Sequence, residues 1–93
     1  MTDQDDEIGV ILALINRFEK QRLPRLLKLR EKVQMGEVLN EADIEFIEQV
    51  THDAQQSKPL IDKHPEWQKF CAYVIHLYEE ITEQALKNER QNQ

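Results

Sequence analysis

Ninety-three residues, 11.1 kDa, can fill one hydrophobic core and not two. Hydrophobic residues make up 40% and charged residues 32%, with 12 Lys+Arg against 18 Asp+Glu for a net charge of -6, while two Gly and three Pro supply too few turns for an all-β fold. The single Cys71 excludes an internal disulfide and a Cys-based zinc site, and a small chain without staples fits a reducing compartment, so a cytoplasmic location is expected.

The chain opens with an apolar run, Ile8 to Ile15, that is not read as a targeting segment. Asp3, Asp5, Asp6 and Glu7 precede it where a signal peptide carries positive charge, and it is far shorter than the ~20 residues that span a bilayer. The run belongs to a first helix over about 3–35, in which Ile8, Ile11, Ile15 and Phe18 return at helical spacing and the pattern resumes as Leu26, Leu29 and Val33. Thr2 with Asp5 resembles a capping box at its start. Pro24 lies inside this helix, removes a backbone donor and clashes with the preceding turn, so a bend near Gln21 to Leu23 is expected. The alternative is a break that folds residues 3–21 back as a fourth helix. Gly36 then closes the helix in the left-handed conformation.

Asn40 caps a second helix over about 41–57, with Leu39 placed as a staple on Ile44. Its buried face is read as Ile44, Ile47, Val50 and Ala54, and Glu41, Asp43, Glu45 and Glu48 crowd its start, where the helix dipole favours acids. Pro59 and Pro65 bracket an elbow over 58–64. A third helix over about 65–88 places Trp67, Phe70, Val74, Leu77 and Ile81 on a coiled-coil-like seam broadened by Cys71, Tyr78 and Ala85, and the polar stretch from Asn88 to Gln93 should fray. The expected fold is all-α: one domain over 1–93, an antiparallel three-helix bundle made of a helical hairpin and a third long helix.

These lengths do not match. The first helix would be roughly 48 Å long, the second roughly 25 Å and the third roughly 36 Å. The second helix therefore covers only the Phe18 to Val33 half of the first and leaves Ile8 to Ile15 bare. On a helical wheel Ile8, Ile11, Leu12 and Ile15 share one face, while Val10 and Leu14 point nearly opposite. The expectation is a homodimer whose interface is Ile8, Val10, Ile11, Leu12, Leu14, Ile15 and Phe18, serving a small non-catalytic protein-interaction or regulatory role.

Two alternatives come from the charges. Between Arg17 and Lys32 lie seven bases against Glu19 and Glu31, and Arg17, Lys20, Arg25, Lys28 and Lys32 gather into an arc of ~140° suited to an acidic partner or nucleic acid. The acids of the second helix run beside this stripe, so internal pairing is the favoured reading and nucleic acid the disfavoured one. A carboxylate-histidine metal site fails on spacing. Glu48 and His52, like His76 and Glu80, are four apart, whereas the Glu-x-x-His of di-iron bundles puts the acid three residues ahead. No cofactor, metal, membrane or small-molecule substrate is expected. Cys71 reads as a core filler, and Trp67, Tyr73 and Tyr78 do not form a ligand cage.

Overall fold

Pro24 bends the first helix without breaking it. The computed structural model describes residues 3–91, with side chains from Asp6 onward, so the Thr2–Asp5 capping box lies outside the described residues. Helix α1, Asp3–Gln21, passes through Arg22 into α2, Leu23–Gln34. Arg22 keeps right-handed helical angles, its N–H donates to the Phe18 carbonyl at 2.8 Å and its own carbonyl accepts from Leu26 at 3.0 Å. Pro24 sits in the first turn of α2, where a missing N–H costs least. The two helices form one bent rod, so the fold-back of residues 3–21 does not occur.

Gly36 ends that rod at φ 90°, a left-handed angle strained for any residue with a Cβ. Its N–H donates to Val33 at 3.1 Å and the Glu37 N–H to Lys32 at 3.2 Å, the paired bonds of a Schellman turn. Helix α3, Glu41–Asp62, starts at a full capping box: the Asp43 N–H donates to Asn40 Oδ1 at 2.9 Å, and the Asn40 N–H donates to Asp43 Oδ2 at 3.1 Å.

α3 does not stop near Ser57, and no elbow spans 58–64. Pro59 lies inside the helix. Both Pro59 and Gln55, whose carbonyl loses its donor, are exposed, so the freed oxygen is on the solvent side, where losing the bond costs least, and the helix carries on to Ile61, which is buried. Only Lys63 and His64 separate α3 from a 3-10 turn, Pro65–Trp67, and from α4, Gln68–Gln91. The C-terminal stretch is not loose from 88 as expected. Asn88 is 2% exposed and anchors α4 to the α2–α3 turn through hydrogen bonds to Val33 and Glu37.

Contacts fix the directions. Lys32 meets Asp43, Arg22 meets Asp53 and Glu7 meets His64, so α3 runs back along the rod for its whole length. Phe18 meets Phe70, Arg30 meets Glu80 and Val33 meets Asn88, so α4 runs parallel to the rod. All described helices share one up, down, up arrangement that is 57 Å long and 20 by 17 Å across, with a radius of gyration of 15.3 Å where a rounder domain of this size would show about 12 Å.

The core is a line of Leu26, Leu29, Phe46, Ile47, Val50, Leu77 and Ile81, extended by Phe18, Leu23, Leu27, Leu39 and Tyr78 at its margins. The α3 face is rotated from the expected one. Asp43, Phe46, Ile47 and Val50 turn inward, while Ile44 and Ala54 are exposed. Phe46 wins the inner position because it carries the larger apolar surface and lies under the Arg25 guanidinium, 4.4 Å from the ring centre. On α4 the seam holds: Leu77 and Ile81 are enclosed, with Trp67, Phe70 and Val74 half-buried along the same line.

Candidate functional site

The proposed α1 interface divides once α3 is seen to reach Asp62. Ile11 is fully enclosed, and Ile8, Leu14, Ile15 and Phe18 are half-buried, Phe18 edge-to-face on Phe70 with ring centres 5.9 Å apart. Leu14 therefore lies on the core face and not opposite it. Val10 and Leu12, 51% and 50% exposed, flank Ile11 at about 100° to either side. The expectation that the whole run lies bare came from too short a second helix, and of its large aliphatic side chains only these two keep large exposure.

The basic stripe also divides. Arg25 donates to the Ala42 carbonyl at 3.2 Å and lies 3.9 Å from Asp43, and Lys32 Nζ donates to Asp43 Oδ2 at 2.6 Å. Arg22 pairs with Asp53 at 3.2 Å and Arg30 with Glu80 at 4.0 Å. Arg17, Lys20 and Lys28 stay exposed. Burial would raise the Asp43 carboxyl, but the Lys32 and Asn40 hydrogen bonds with the charges of Lys32 and Arg25 outweigh it and hold that pKa below its ordinary value.

Chemistry-bearing side chains are dispersed. No group of three or more His, Cys, Asp or Glu among the described residues is placed to hold a metal ion. Cys71 is half-buried, and burial, then the charge of Asp62, pushes its thiol pKa up, which keeps it protonated and a poor nucleophile. His64 is buried, with Nε2 donating to Glu7 Oε2 at 3.0 Å and Nδ1 3.5 Å from Glu66, so its two ring nitrogens face two different carboxylates and close the α3–α4 corner over α1. A shallow polar cleft between Arg22 and Asp53, lined also by Glu45, Glu48, Gln49 and His52, opens broadly to solvent.

A concave apolar surface lies at the opposite end from His64, between the start of α3 and the second half of α4. It is a groove of about 640 Å³. Leu39 and Ile47 form its base, Ile44 and Glu48 its α3 wall, Tyr78, Thr82, Ala85, Leu86 and Glu89 its α4 wall, and Val38 its end. α4 makes its close backbone approach to α2, and α3 stands further from it, which opens the gap. Small side chains at Thr82 and Ala85 leave it unfilled. The Thr82 hydroxyl donates back to the Tyr78 carbonyl at 3.0 Å, so that wall presents a methyl group and no unsatisfied donor. Ile44 and Leu86 face each other's helices at 47% and 54% exposure.

The sequence reading did not find this groove, although a signal for it exists. Ile75, Tyr78, Thr82 and Leu86 recur at helical spacing about 125° from the Leu77, Ile81, Asn88 seam, giving α4 a second apolar face. Broadening of one seam and a separate second face look alike until the position of α3 is known.

No protein-family model matches this chain, and neither does any curated protein or solved structure. No described helix is long and apolar enough to cross a membrane.

Proposed function

We propose that this chain is a small non-catalytic protein-interaction module whose working surface is the α3–α4 groove. The observation that carries this reading is the exposure of Ile44 and Leu86 on facing walls of an apolar trough at the fixed end of the bundle. That end is held by the Schellman turn, the Asn40 capping box and the Asn88 bonds, so the trough is preformed and a partner loses little entropy in meeting it. A cytoplasmic setting belongs to the same proposal, since Cys71 has no partner cysteine.

The test is affinity capture with wild type and with an Ile44→Asp, Leu86→Asp double variant whose helicity and melting temperature are checked first. Proteins held by the wild type and lost by the variant support the reading. An identical set held by both removes it.

A second reading, self-association through α1, is favoured by the half-exposed Val10 and Leu12. Because Ile11 is enclosed, the informative variant is Val10→Asp with Leu12→Asp. Sedimentation equilibrium at twice 11.1 kDa, shifted to the single mass by this variant, supports a homodimer, and a wild-type monomer at high micromolar concentration defeats it. The nucleic-acid reading is weaker. With Arg25 and Lys32 turned toward Asp43, only Arg17, Lys20 and Lys28 of the stripe are free for phosphates.

A further inference from the structure

Resting on the groove as the working surface, we infer that its occupant is an amphipathic helix of another protein, with an aliphatic stripe flanked by Lys or Arg, which docks as the fourth helix of the bundle. The charged side chains that line the trough are both acidic. Glu48 and Glu89 stand on its two walls and no Lys or Arg lines it. Beyond the walls, Glu41 and Glu45 on α3 and Glu79 and Glu83 on α4 are exposed, with Lys87 and Arg90 the bases near the α4 end of the trough. A neutral or acidic ligand would leave these carboxylates facing apolar or like-charged surface, whereas Lys or Arg side chains lay their stems on the rim and their charges beside the acids.

The dimensions fit a helix. From Tyr78 to Glu89 the α4 wall runs roughly 16 Å, enough for anchor side chains at i, i+4 and i+7 of a docked helix between Ile44 and Leu86. A second copy of this chain is a poor occupant. Docked groove to groove about a twofold axis, it would bring the acidic walls of one copy, with Glu48 and Glu89, onto the acidic walls of the other, and like charges facing each other oppose association. Nor does the chain offer a suitable helix to a neighbour. The aliphatic face of α1 that carries Ile11 is enclosed, and its exposed Val10 and Leu12 point to different sides with Asp6 and Glu7 a turn away.

The test uses the full chain and two labelled helical peptides of equal length, with Leu at i, i+4, i+7 and i+11 and with either Lys or Glu at the flanking positions, followed by fluorescence anisotropy. The Lys peptide is expected to bind at least about tenfold more tightly than the Glu peptide, with an advantage that shrinks as salt rises. Leu86→Asp should weaken it about tenfold or more, and Glu48→Lys with Glu89→Lys should reverse the preference. All three side chains are outside the core, and circular dichroism checks that each variant stays folded. Equal binding of both peptides overturns the charge selection while leaving the groove as a docking surface. Binding of neither overturns the helical occupant, and the capture assay then decides the groove separately. A wild-type dimer that Leu86→Asp turns into a monomer overturns the inference in favour of a second copy.

Discussion

The side-chain amide of Asn88 donates a 2.7 Å hydrogen bond to the backbone carbonyl of Val33. The same nitrogen donates to the Glu37 carbonyl at 2.8 Å, and Asn88 Oδ1 accepts from Gln84 at 3.0 Å. Helix geometry leaves the last carbonyls of α2 without intrahelical donors, and a residue near the far end of α4 supplies one. The turn that frames the groove is thereby tied to both helices beside it.

Replacing Asn88 with Ala should therefore cost about 2 kcal/mol, because the buried Val33 carbonyl and the part-buried Glu37 carbonyl each lose a donor and a small cavity opens. In a domain of this size that lowers the melting temperature by roughly 10 °C. Urea unfolding of the purified variant measures it, and a loss under about 0.5 kcal/mol would show that water replaces the amide without penalty. Loosening here should also weaken any groove ligand, while the Glu7–His64 end is unaffected.

Features that depend on a few neighbouring residues were legible in the sequence. Gly36 announces a left-handed stop, Asn40 a cap, and Pro24 a bend, because each acts through its own backbone within one turn. Features set by long-range packing were not. Asn88 looks like a polar tail residue until Val33 is placed beside it. Pro59 looks like a helix stop, and the error in α3 length it caused is what made all of Ile8 to Ile15 appear bare. Aliphatic periodicity predicted Ile44 inside and overlooked Phe46, whose inward position depends on Arg25 covering its ring. The candidate site was less legible than the fold, since a groove belongs to the distance between two helices and not to either pattern.

Pro59 in an exposed stretch of α3 should be replaceable with a gain. A helix-interior proline costs about 3 kcal/mol relative to alanine, and part of that returns because alanine frees the unfolded chain. Pro59→Ala is expected to stabilise the protein by about 1 to 2 kcal/mol, read as a higher urea midpoint with unchanged slope. An unchanged or lower midpoint would mean that the backbone geometry that Pro59 imposes is needed to seat Ile61.

Asp43 joins two jobs, closing the α3 capping box and receiving Lys32, so Asp43→Asn should cost about 2 kcal/mol near neutral pH. Its sign with pH follows from a folded-state pKa held below the ordinary 3.8. The carboxylate's contribution is complete above the unfolded value and is lost as pH falls through the lower folded one. The stability gap between wild type and Asp43→Asn should thus be constant from pH 5 to 7 and narrow below about pH 4. A gap that is the same at pH 3 as at pH 6 would assign its cost to lost packing and not to charge.

The other end of the bundle has its own carboxylate with the same sign. The hydrogen bond from His64 is the largest influence on Glu7, which lies below its ordinary 4.5, and Lys63 at 3.6 Å adds to it. NMR titration of the Glu7 side-chain carboxyl should give a midpoint under that value in the wild type and a higher one in His64→Ala, which has no side-chain donor to offer Glu7. Stability should respond in step: the advantage of wild type over Glu7→Gln is present above about pH 4.5 and disappears as Glu7 takes up its proton. Since Glu7 sits on α1 and His64 at the end of α3, this pair reports whether α3 covers the first turns of the rod. A Glu7 titration indifferent to His64→Ala would mean that α3 does not reach there in solution, and would restore an uncovered apolar α1 as the stronger candidate for partnership.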